Sequence, residues 1–306
     1  MMVLGLDTSN YTTSAAAFNG VSGKNCSRLL DVRPGELGLR QSDALFAHVK
    51  RLPELIDALY REIPRDEIRA IGASTRPRAV EGSYMPCFLA GESQARNLAA
   101  VLDVPFYAFS HQQGHIAAAC WSAGRMDLME RPHLAWHLSG GTTELLLVTP
   151  GDKNVNAARI GGTQDISAGQ LIDRTGKLLG LQFPAGKAID RLSRESTCRE
   201  RFQVKLNDLD FSFSGLENKM RAFFDAGGSP EDTARFVLNC VCSCIMRATR
   251  EALKKYPGCP VVFSGGVASN SQLRESAQGF EAIFSPAEFS TDNAMGIAVL
   301  TWMQGA

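Results

Sequence analysis

The sequence predicts an α/β protein of two domains, and three observations support this prediction. Its 306 residues favour two domains of ordinary size over a single hydrophobic core. Short apolar segments alternate with helical segments along the chain, which is typical of α/β domains. A strand, a small polar turn and a second strand occur once near the N-terminus and again in LAWHLSGGTTELLLV, which suggests a duplicated architecture.

The first half of the chain alternates strands and helices in a regular order. MMVLGLD predicts a buried strand that ends at Asp7, and SAAAF predicts the strand that returns after the polar turn TSNYTT. ALFAHVKRLPELIDALYREI and SQARNLAAVLD have helical periodicity, and each is followed by a strand segment, IRAIGAST and FYAFS respectively.

The second half repeats this alternation. A strand ends at Leu138, a turn follows at Ser139–Gly141, and a second apolar strand comes next. GQLIDRTGKLLGL predicts an amphipathic helix and residues 232–255 predict a long helix. CPVVFSGGVASNSQLRESA predicts a strand, a glycine pair and a helix.

Composition and charge limit the kinds of function and cellular location that the sequence predicts. Equal numbers of basic and acidic residues, 32 each, argue against a strongly basic nucleic-acid grip by this chain alone, and leave open a local patch or a basic partner. The sequence has no apolar run of membrane-spanning length and no leader-like start. Eight cysteines without a C-x-x-C spacing indicate buried, reduced thiols, so we expect a cytoplasmic protein.

Two histidines with a spacing of four residues occur in SHQQGHIAAAC. Ser110 and Gln113 form a plausible capping box, so the helix should begin near His111 and present His111 and His115 on one face. That spacing suits two ligands of one metal ion, although surface or capping histidines are the more common explanation of such a pair. A zincin protease is a poor fit, because Gln112 stands where that chemistry requires a glutamate.

Glycine turns follow two predicted strands, in SGG after Leu138 and in SGGVASN after the strand that ends at Ser264. Glycine lets backbone N–H groups approach an anion closely, and a helix N-terminus favours phosphate. Each turn alone is equally well explained as a tight turn. Together with Gly186 in FPAGKAIDRL, they favour nucleotide binding.

Asp292 and Asn293 lie just before a predicted helix of small residues, in STDNAMGIAVL. A helix cap is the default explanation of an aspartate at this position. The alternative is that the carboxylate of Asp292 completes a two-histidine, one-carboxylate metal site with open positions for substrate.

Six segments in order resemble one family: SHQQGH, WHLSGGTTELLLV, ISAGQLIDRTGKLLGLQFPAGKAIDRL, LDFSFSGLENK, VVFSGGVASNSQLR and FSTDNAMGIA. They are similar to the transferase family that makes tRNA threonylcarbamoyladenosine, formerly described as glycoprotease-like. The resemblance runs from the first strand to the last helix. It implies two actin-like (ribonuclease-H-like) domains with a ligand cleft between them, residues 1–118 with 293–306 and residues 119–292.

The resemblance also implies ligands and partners. A divalent metal, iron or zinc, would be held by His111, His115 and Asp292. Contacts to an adenine nucleotide, as ATP or threonylcarbamoyl adenylate, fall on His137, Leu138, Ser139, Gly140, Gly141, Asp173, Gly186, Asp190 and Asn270. The reaction would transfer the threonylcarbamoyl group to the adenosine following the tRNA anticodon. The partners would be tRNA and subunits of a modification complex, with a heterodimer through the actin-like domains as one form.

Departures from the family pattern concentrate in the first half of the chain. After Asp7, Thr8, Ser9 and Asn10, the acidic residues that the family pattern has are replaced by Tyr11 and Thr12, and Thr142 follows SGG in place of His or Asn. A glycine-rich turn is replaced by STRPRAVEGSY, in which Arg76 and Arg78 either bind an anion or are solvated loop residues.

These departures leave three functions open. The first is tRNA threonylcarbamoyl transfer with partner subunits. The second is a divergent actin-like nucleotide-binding ATPase or a carbamoyl-type transferase with an acceptor other than tRNA. The third is a non-catalytic scaffold that binds nucleotide and partner. The base that takes the proton of the acceptor amine is not identified by the sequence.

Overall fold

The computed structural model describes residues 1–9, 11–31 and 39–305, so Asn10 lies outside the described residues. Its strands are β1 (Met2–Thr8), β2 (Thr12–Phe18), β3 (Gly23–Leu29), β4 (Ile68–Arg76), β5 (Phe106–Ser110), β6 (His133–Leu138), β7 (Thr143–Gly151), β8 (Asn154–Thr163), β9 (Leu206–Asn207), β10 (Asp210–Phe211), β11 (Val261–Ser264) and β12 (Ala282–Phe284).

The α-helices are α1 (Gln41–Tyr60), α2 (Phe88–Leu102), α3 (His111–Ser122), α4 (Ala168–Leu178), α5 (Gly186–Arg194), α6 (Ser214–Asp225), α7 (Pro230–Lys255), α8 (Ser271–Ser276), α9 (Ala287–Ser290) and α10 (Met295–Met303). Every helix and strand predicted from the sequence is present. Within the described part of the chain, no helix is long and apolar enough to cross a bilayer.

The chain divides into two compact units. Unit 1 comprises residues 1–131, 149–157 and 291–306, and unit 2 comprises residues 132–148 and 158–290. The domain boundary expected after residue 118 differs from this division, since helix α3 continues to Ser122 and belongs to unit 1 as a whole.

The two sheets share one strand order, which confirms the predicted duplication. The first sheet has the order β3-β2-β1-β4-β5, and the second contains β12-β11-β6-β7-β8 followed by β10 and β9. In each, the first strand pairs antiparallel with the second (β1 with β2, β6 with β7) and parallel with a later strand (β1 with β4, β6 with β11). Parallel neighbours end at the same edge, and ligands bind beyond the carboxyl ends of such strands.

Each unit has its own core. In unit 1, Leu4 and Leu6 of β1 and Ile71 of β4 are buried in a core with side chains of α1 and α2. In unit 2, Trp136 and Phe263 from the central strands are fully buried against the long helix α7. Full burial of a side chain of this size stabilises the fold by about 2–3 kcal/mol.

The cysteines are free thiols, as the sequence predicts, and those of α7 are buried. Burial raises the pKa of Cys242 to about 12, so this thiol is protonated at neutral pH. The C-V-C-S-C triplet is therefore apolar packing in the core of unit 2.

Helix α10 lies unusually close to its neighbours in unit 1 because glycines face it. A Cβ atom on Gly5 of β1 would lie 2.4 Å from the Ala298 nitrogen, and one on Gly296 would lie 1.8 Å from the Gly114 carbonyl oxygen of α3. No side chain fits at these positions without moving backbone. This close approach fixes the residues that precede α10, including Asp292, relative to the histidines of α3.

We predict that Gly296→Ala lowers the free energy of unfolding of unit 1 by about 3 kcal/mol or more, because its methyl group would collide with rigid backbone. Gly114→Ala is the matched control in the same interface, because the atoms its methyl group would approach most closely belong to the flexible side chain of Ile297, Cδ1 at 2.9 Å and Cγ1 at 3.3 Å. We expect that control to cost less than about 1 kcal/mol. Urea unfolding of both variants tests this, and equal stability losses would contradict it.

Candidate metal centre and ligand-binding turns

Helix α3 begins at His111, as the sequence predicts, and the capping box is confirmed. The Ser110 hydroxyl accepts a hydrogen bond from the Gln113 backbone N–H at 3.2 Å, and the Gln113 amide oxygen accepts one from the Ser110 N–H at 3.0 Å. The other end of the Gln113 amide donates to the Val155 carbonyl at 2.8 Å. The first turn, which carries His111, is therefore held at the carboxyl end of β5.

The structure brings His111, His115 and Asp292 together. The two Nε2 atoms lie 2.9 Å apart, and the Oδ1 atom of Asp292 lies 3.2 Å from that of His115 and 3.5 Å from that of His111. Ligand atoms about 2.1 Å from one ion are about 3.0 Å apart at right angles and about 3.4 Å apart at the tetrahedral angle. The triangle thus has the dimensions of three ligands on one side of a single ion, with its other positions open.

Asp7 is the fourth residue of this centre, and sequence reasoning identified it only as the end of a strand. Its Oδ2 atom lies 2.7 Å from Nδ1 of His111, and its Oδ1 atom accepts a hydrogen bond from the Ser9 N–H at 3.0 Å. A carboxylate at Nδ1 keeps the proton on that nitrogen and leaves the lone pair of Nε2 for a metal. This is the usual support for a metal-binding histidine.

The charges of the centre favour a cation. Burial alone would lower the pKa of His111, but the Asp7 carboxylate, with hydrogen bonds to Asp292 and Asp7, raises it to about 10. Burial alone would raise the pKa of Asp292, but hydrogen bonds from both histidines hold it well below its usual range. Two carboxylates thus hold a proton on His111, and a divalent cation would replace that proton as their counter-charge.

The cap explanation of Asp292 is wrong. The N-cap residue of α10 is Ala294, and the side chain of Asn293 accepts the hydrogen bond from the Met295 N–H at 3.1 Å. Asp292 instead faces the histidines. The neighbouring asparagine therefore serves the helix and frees the aspartate for the centre.

Unit 2 brings its two glycine turns side by side, because His137 on β6 pairs with Ser264 on β11. Both strands end there. The Ser139–Thr142 turn closes through a hydrogen bond from the Ser139 N–H to the Thr142 carbonyl at 2.9 Å. The hydroxyl of Ser167, the N-cap of α4, donates to the Gly140 carbonyl at 2.7 Å. The start of α4 therefore holds the turn in place.

Open space surrounds Gly140, Gly141 and Gly186, since a Cβ atom at any of them would meet nothing within 4 Å. Packing inside the protein therefore does not require glycine at these three positions. Gly265 differs, because its φ is +90° and a Cβ atom there would lie 2.3 Å from the Leu138 carbonyl oxygen. The first three leave backbone accessible to a ligand, whereas Gly265 is required by the fold.

The carboxylates predicted to bind nucleotide have different surroundings. Asp190 accepts hydrogen bonds from the Asn270 amide at 3.0 Å and the Ser271 hydroxyl at 2.7 Å, and Arg194 pairs with it at 3.1 Å. These donors use most of its acceptor capacity, so Asp190 holds Asn270 in place. Asp173 accepts only the Ala185 N–H, at 2.8 Å, within the described residues, and burial raises its pKa.

The predicted helix after SGGV does not start at the glycine pair. A 3₁₀ turn (Gly266–Ser269) intervenes, and α8 has only six residues. Its N-cap is Asn270, whose side-chain oxygen accepts the Leu273 N–H at 3.0 Å. The contribution of this segment to a ligand site is therefore the side chain of Asn270 and not a long helix dipole.

The chain matches the family model described as tRNA N6-adenosine threonylcarbamoyltransferase (TsaD) over residues 38–299. It is 36% identical to the protein of that name from Kosmotoga olearia, over 83% of this chain and 78% of that one. It is 33% identical to one from Thermus thermophilus, over 99% and 92%. A solved structure of the activator of 2-hydroxyisocaproyl-CoA dehydratase from Clostridium difficile, with bound ADPNP, is similar in fold, with a TM-score of 0.56, 14% identity and coverage of 99% and 95%.

The fold and the repeated sheets define an α/β protein with two actin-like units, as the sequence predicts. Within that class, the chain belongs to the tRNA N6-adenosine threonylcarbamoyltransferase family. The resemblance stated from its six motifs is confirmed.

We predict that Asp7→Asn lowers the affinity of the centre for a divalent metal by about 10- to 100-fold, because the neutral amide no longer supports His111. A chelator-competition titration with Zn²⁺ measures this. Asp127→Asn is the control, because Asp127 is an exposed carboxylate of unit 1 that pairs with Arg125. Unchanged zinc affinity in Asp7→Asn would show that Asp7 does not support the metal site.

Proposed function

We propose that this chain transfers the threonylcarbamoyl group from threonylcarbamoyl adenylate to the N6 amine of the adenosine next to the tRNA anticodon. We further propose that a divalent metal, iron or zinc, is held by His111, His115 and Asp292. Membership of the family supports the reaction. The observation that carries the site is the triangle of ligand atoms with edges of 2.9, 3.2 and 3.5 Å.

The reaction forms a bond between the acceptor nitrogen and the carbonyl carbon of the donor, and breaks the bond from that carbon to the phosphate oxygen. AMP leaves, and the amine loses a proton. A bound divalent metal would supply Lewis-acid polarisation of the carbonyl group. The residues of the chain itself orient the metal ligands. Asp7 fixes the ring of His111, and the packing of α10 on α3 fixes Asp292.

The nucleotide part of the donor is proposed to bind unit 2. Open backbone at Gly140, Gly141 and Gly186 suits a phosphate or a sugar, because no Cβ atom blocks the N–H groups. Asp173 has acceptor capacity left for a ribose hydroxyl. His137, Leu138 and Ser139 shape the first turn, and Asp190 holds Asn270 beside the second.

The chain is proposed to act in the cytoplasm with partner subunits. Its net charge is zero, with 32 basic and 32 acidic residues, so the general attraction for a polyanion such as tRNA must come from a local patch or from a basic partner. A heterodimer through an actin-like unit is one form that such a complex can take.

We predict that His111→Ala and Asp292→Ala each lose stoichiometric metal and at least about 100-fold of transfer rate while remaining folded. The measurements are elemental analysis and transfer of labelled threonylcarbamoyl to tRNA in the presence of the partner subunits. Asp127→Asn again serves as the control. Full metal occupancy in both alanine variants would refute the assigned ligands.

A second acceptor is favoured by one specific observation. The positions of the two missing acids are occupied by Tyr11 and by Thr12, which is buried in β2 and paired with Leu29. A neutral residue suits that buried position, so the surroundings of the acceptor differ from the family pattern. Consumption of the donor without tRNA would assign a small-molecule acceptor, and donor binding without any turnover would assign a scaffold.

We predict that Gly140→Val leaves the fold intact but weakens binding of AMP by about 10-fold or more, because the side chain would enter the open space above the turn. Fluorescence or calorimetric titration with AMP measures this. Gly215→Val is the matched control for the added bulk, because its Cβ atom would also meet nothing within 4 Å but Gly215 belongs to α6 and not to either glycine turn. Normal AMP binding by Gly140→Val would contradict nucleotide binding at this turn.

A further inference from the structure

Arg76 ends β4 directly beside the metal centre. Its Cα partner on β5 is Ser110, the residue that precedes His111. Neighbouring strands lie about 4.8 Å apart, which is less than the length of an arginine side chain. The register of the two strands shifts between Ser74 and Arg76, and bulges of this kind are frequent next to active sites, where they re-aim side chains.

The segment after Arg76 is fixed to the helix that carries the histidines. The Pro77 carbonyl accepts a hydrogen bond from the Gln112 backbone N–H at 3.0 Å. Gln112 follows His111, and its N–H is one of the donors that a helix start leaves without a partner inside the helix. Arg76 is thus held by strand pairing on one side and by the Pro77 bond on the other.

The guanidinium group of Arg76 has no counter-charge among the described residues. Arg76 is partly buried, and across residues 1–9, 11–31 and 39–305 it makes no hydrogen bond or ion pair through its side chain. A partly buried arginine without an anion is unfavourable, because the charge loses water and gains no acceptor. Other arginines of unit 1 are paired, as Arg96 is with Glu92 at 2.8 Å. The arrangement therefore suits an anion that comes from outside the chain.

We propose that Arg76 binds the threonyl carboxylate of the acyl donor and makes the centre selective for a carboxylate-bearing acyl group. This inference rests on the proposed function. In the donor, the carboxylate is separated from the transferred carbonyl by only a few covalent bonds. A residue that binds it must therefore lie close to the group that polarises the carbonyl, and the strand register places Arg76 opposite Ser110, next to His111.

Charge and geometry both favour the carboxylate. The Asp7 and Asp292 carboxylates lie against the histidines of the centre, and they would repel an anionic ligand that approached without a counter-charge. Arg76 offsets this repulsion. Its planar group can form two parallel hydrogen bonds to one carboxylate, which a lysine cannot do. The glycine-rich turn that the family resemblance leads us to expect at this segment has no side chain able to do this.

The test compares wild type with Arg76→Gln, Arg76→Lys and the control Arg69→Gln. Arg69 is an exposed arginine near the start of the same strand, β4. Each protein is titrated with three ligands: a stable sulfamate analogue of threonylcarbamoyl adenylate, the same analogue with the carboxylate converted to a carboxamide, and AMP. Metal content and circular dichroism are recorded for every variant, so that loss of the metal or of the fold is recognised.

Wild type and Arg69→Gln should bind the carboxylate analogue about 10- to 100-fold more tightly than the carboxamide, as expected for a charged hydrogen-bonded pair. Arg76→Gln should lose this preference and keep its affinity for AMP, and Arg76→Lys should retain part of the preference. A full preference in Arg76→Gln, or an equal loss of AMP affinity, would overturn the proposal.

The outcome for Arg76 is separable from that of the proposed function. Failure of the wild type to bind either analogue would overturn both. A carboxylate preference that depends on Arg76, in a protein that does not modify tRNA even with its partner subunits, would uphold the role of Arg76 and reject the tRNA acceptor.

Discussion

The hydrogen bond between Asp7 and His111 is the interaction on which the proposed metal centre depends. It joins the carboxyl end of β1 to the first residue of α3, across a separation of 104 residues. Because Asp7 is buried and carries its charge, it both orients the ring and selects the nitrogen that faces a metal. The capping box at Ser110 and the pairing of β4 with β5 hold the helix start against it.

Close backbone packing positions Asp292, the third proposed metal ligand. Asp292 is contributed by the segment before α10, and α10 approaches the backbone of α3 closely where Gly296 faces the Gly114 carbonyl. The close helix crossing at Gly296 therefore fixes the position of Asp292. The chemistry of the site comes from His111, His115 and Asp292. Because the three ligands are already within reach of one ion, their side chains would lose little conformational entropy when a metal ion binds.

Most of the helices, strands and candidate site residues could be predicted from the sequence, because the patterns that indicate them lie within short segments. The capping box, the spacing of His111 and His115, and the glycine turns after two strands are all contained in short segments. The role of Asp7 could not be found in this way, since it depends on the strand order β1-β4-β5, which is set by parallel pairing between distant segments. The same holds for Asp190, whose donors Asn270 and Ser271 lie about eighty residues away. Asp292 had two local explanations, and only tertiary packing decides between them.

The departures from the family pattern follow the division into units. Tyr11, Thr12, Arg76 and Arg78, the departures that the family resemblance indicates in the first half, all belong to unit 1, which contains the proposed metal centre. The turns proposed to bind nucleotide belong to unit 2, where the resemblance indicates a departure at Thr142. In a transfer reaction the nucleotide is the leaving group, so residues that hold it need not change when the acyl group or the acceptor does.

Changes near the proposed metal site alter the charge that the acyl group and the incoming amine encounter. By the pattern that the resemblance implies, two acids are replaced with neutral residues, and an arginine is added that has no counter-charge in the described part of the chain. Both changes make these surroundings less negative, which favours an anionic acyl group and removes nearby proton acceptors. The divergence that the resemblance indicates therefore bears on what the chain transfers and to which acceptor, and leaves the turns proposed to bind nucleotide in place.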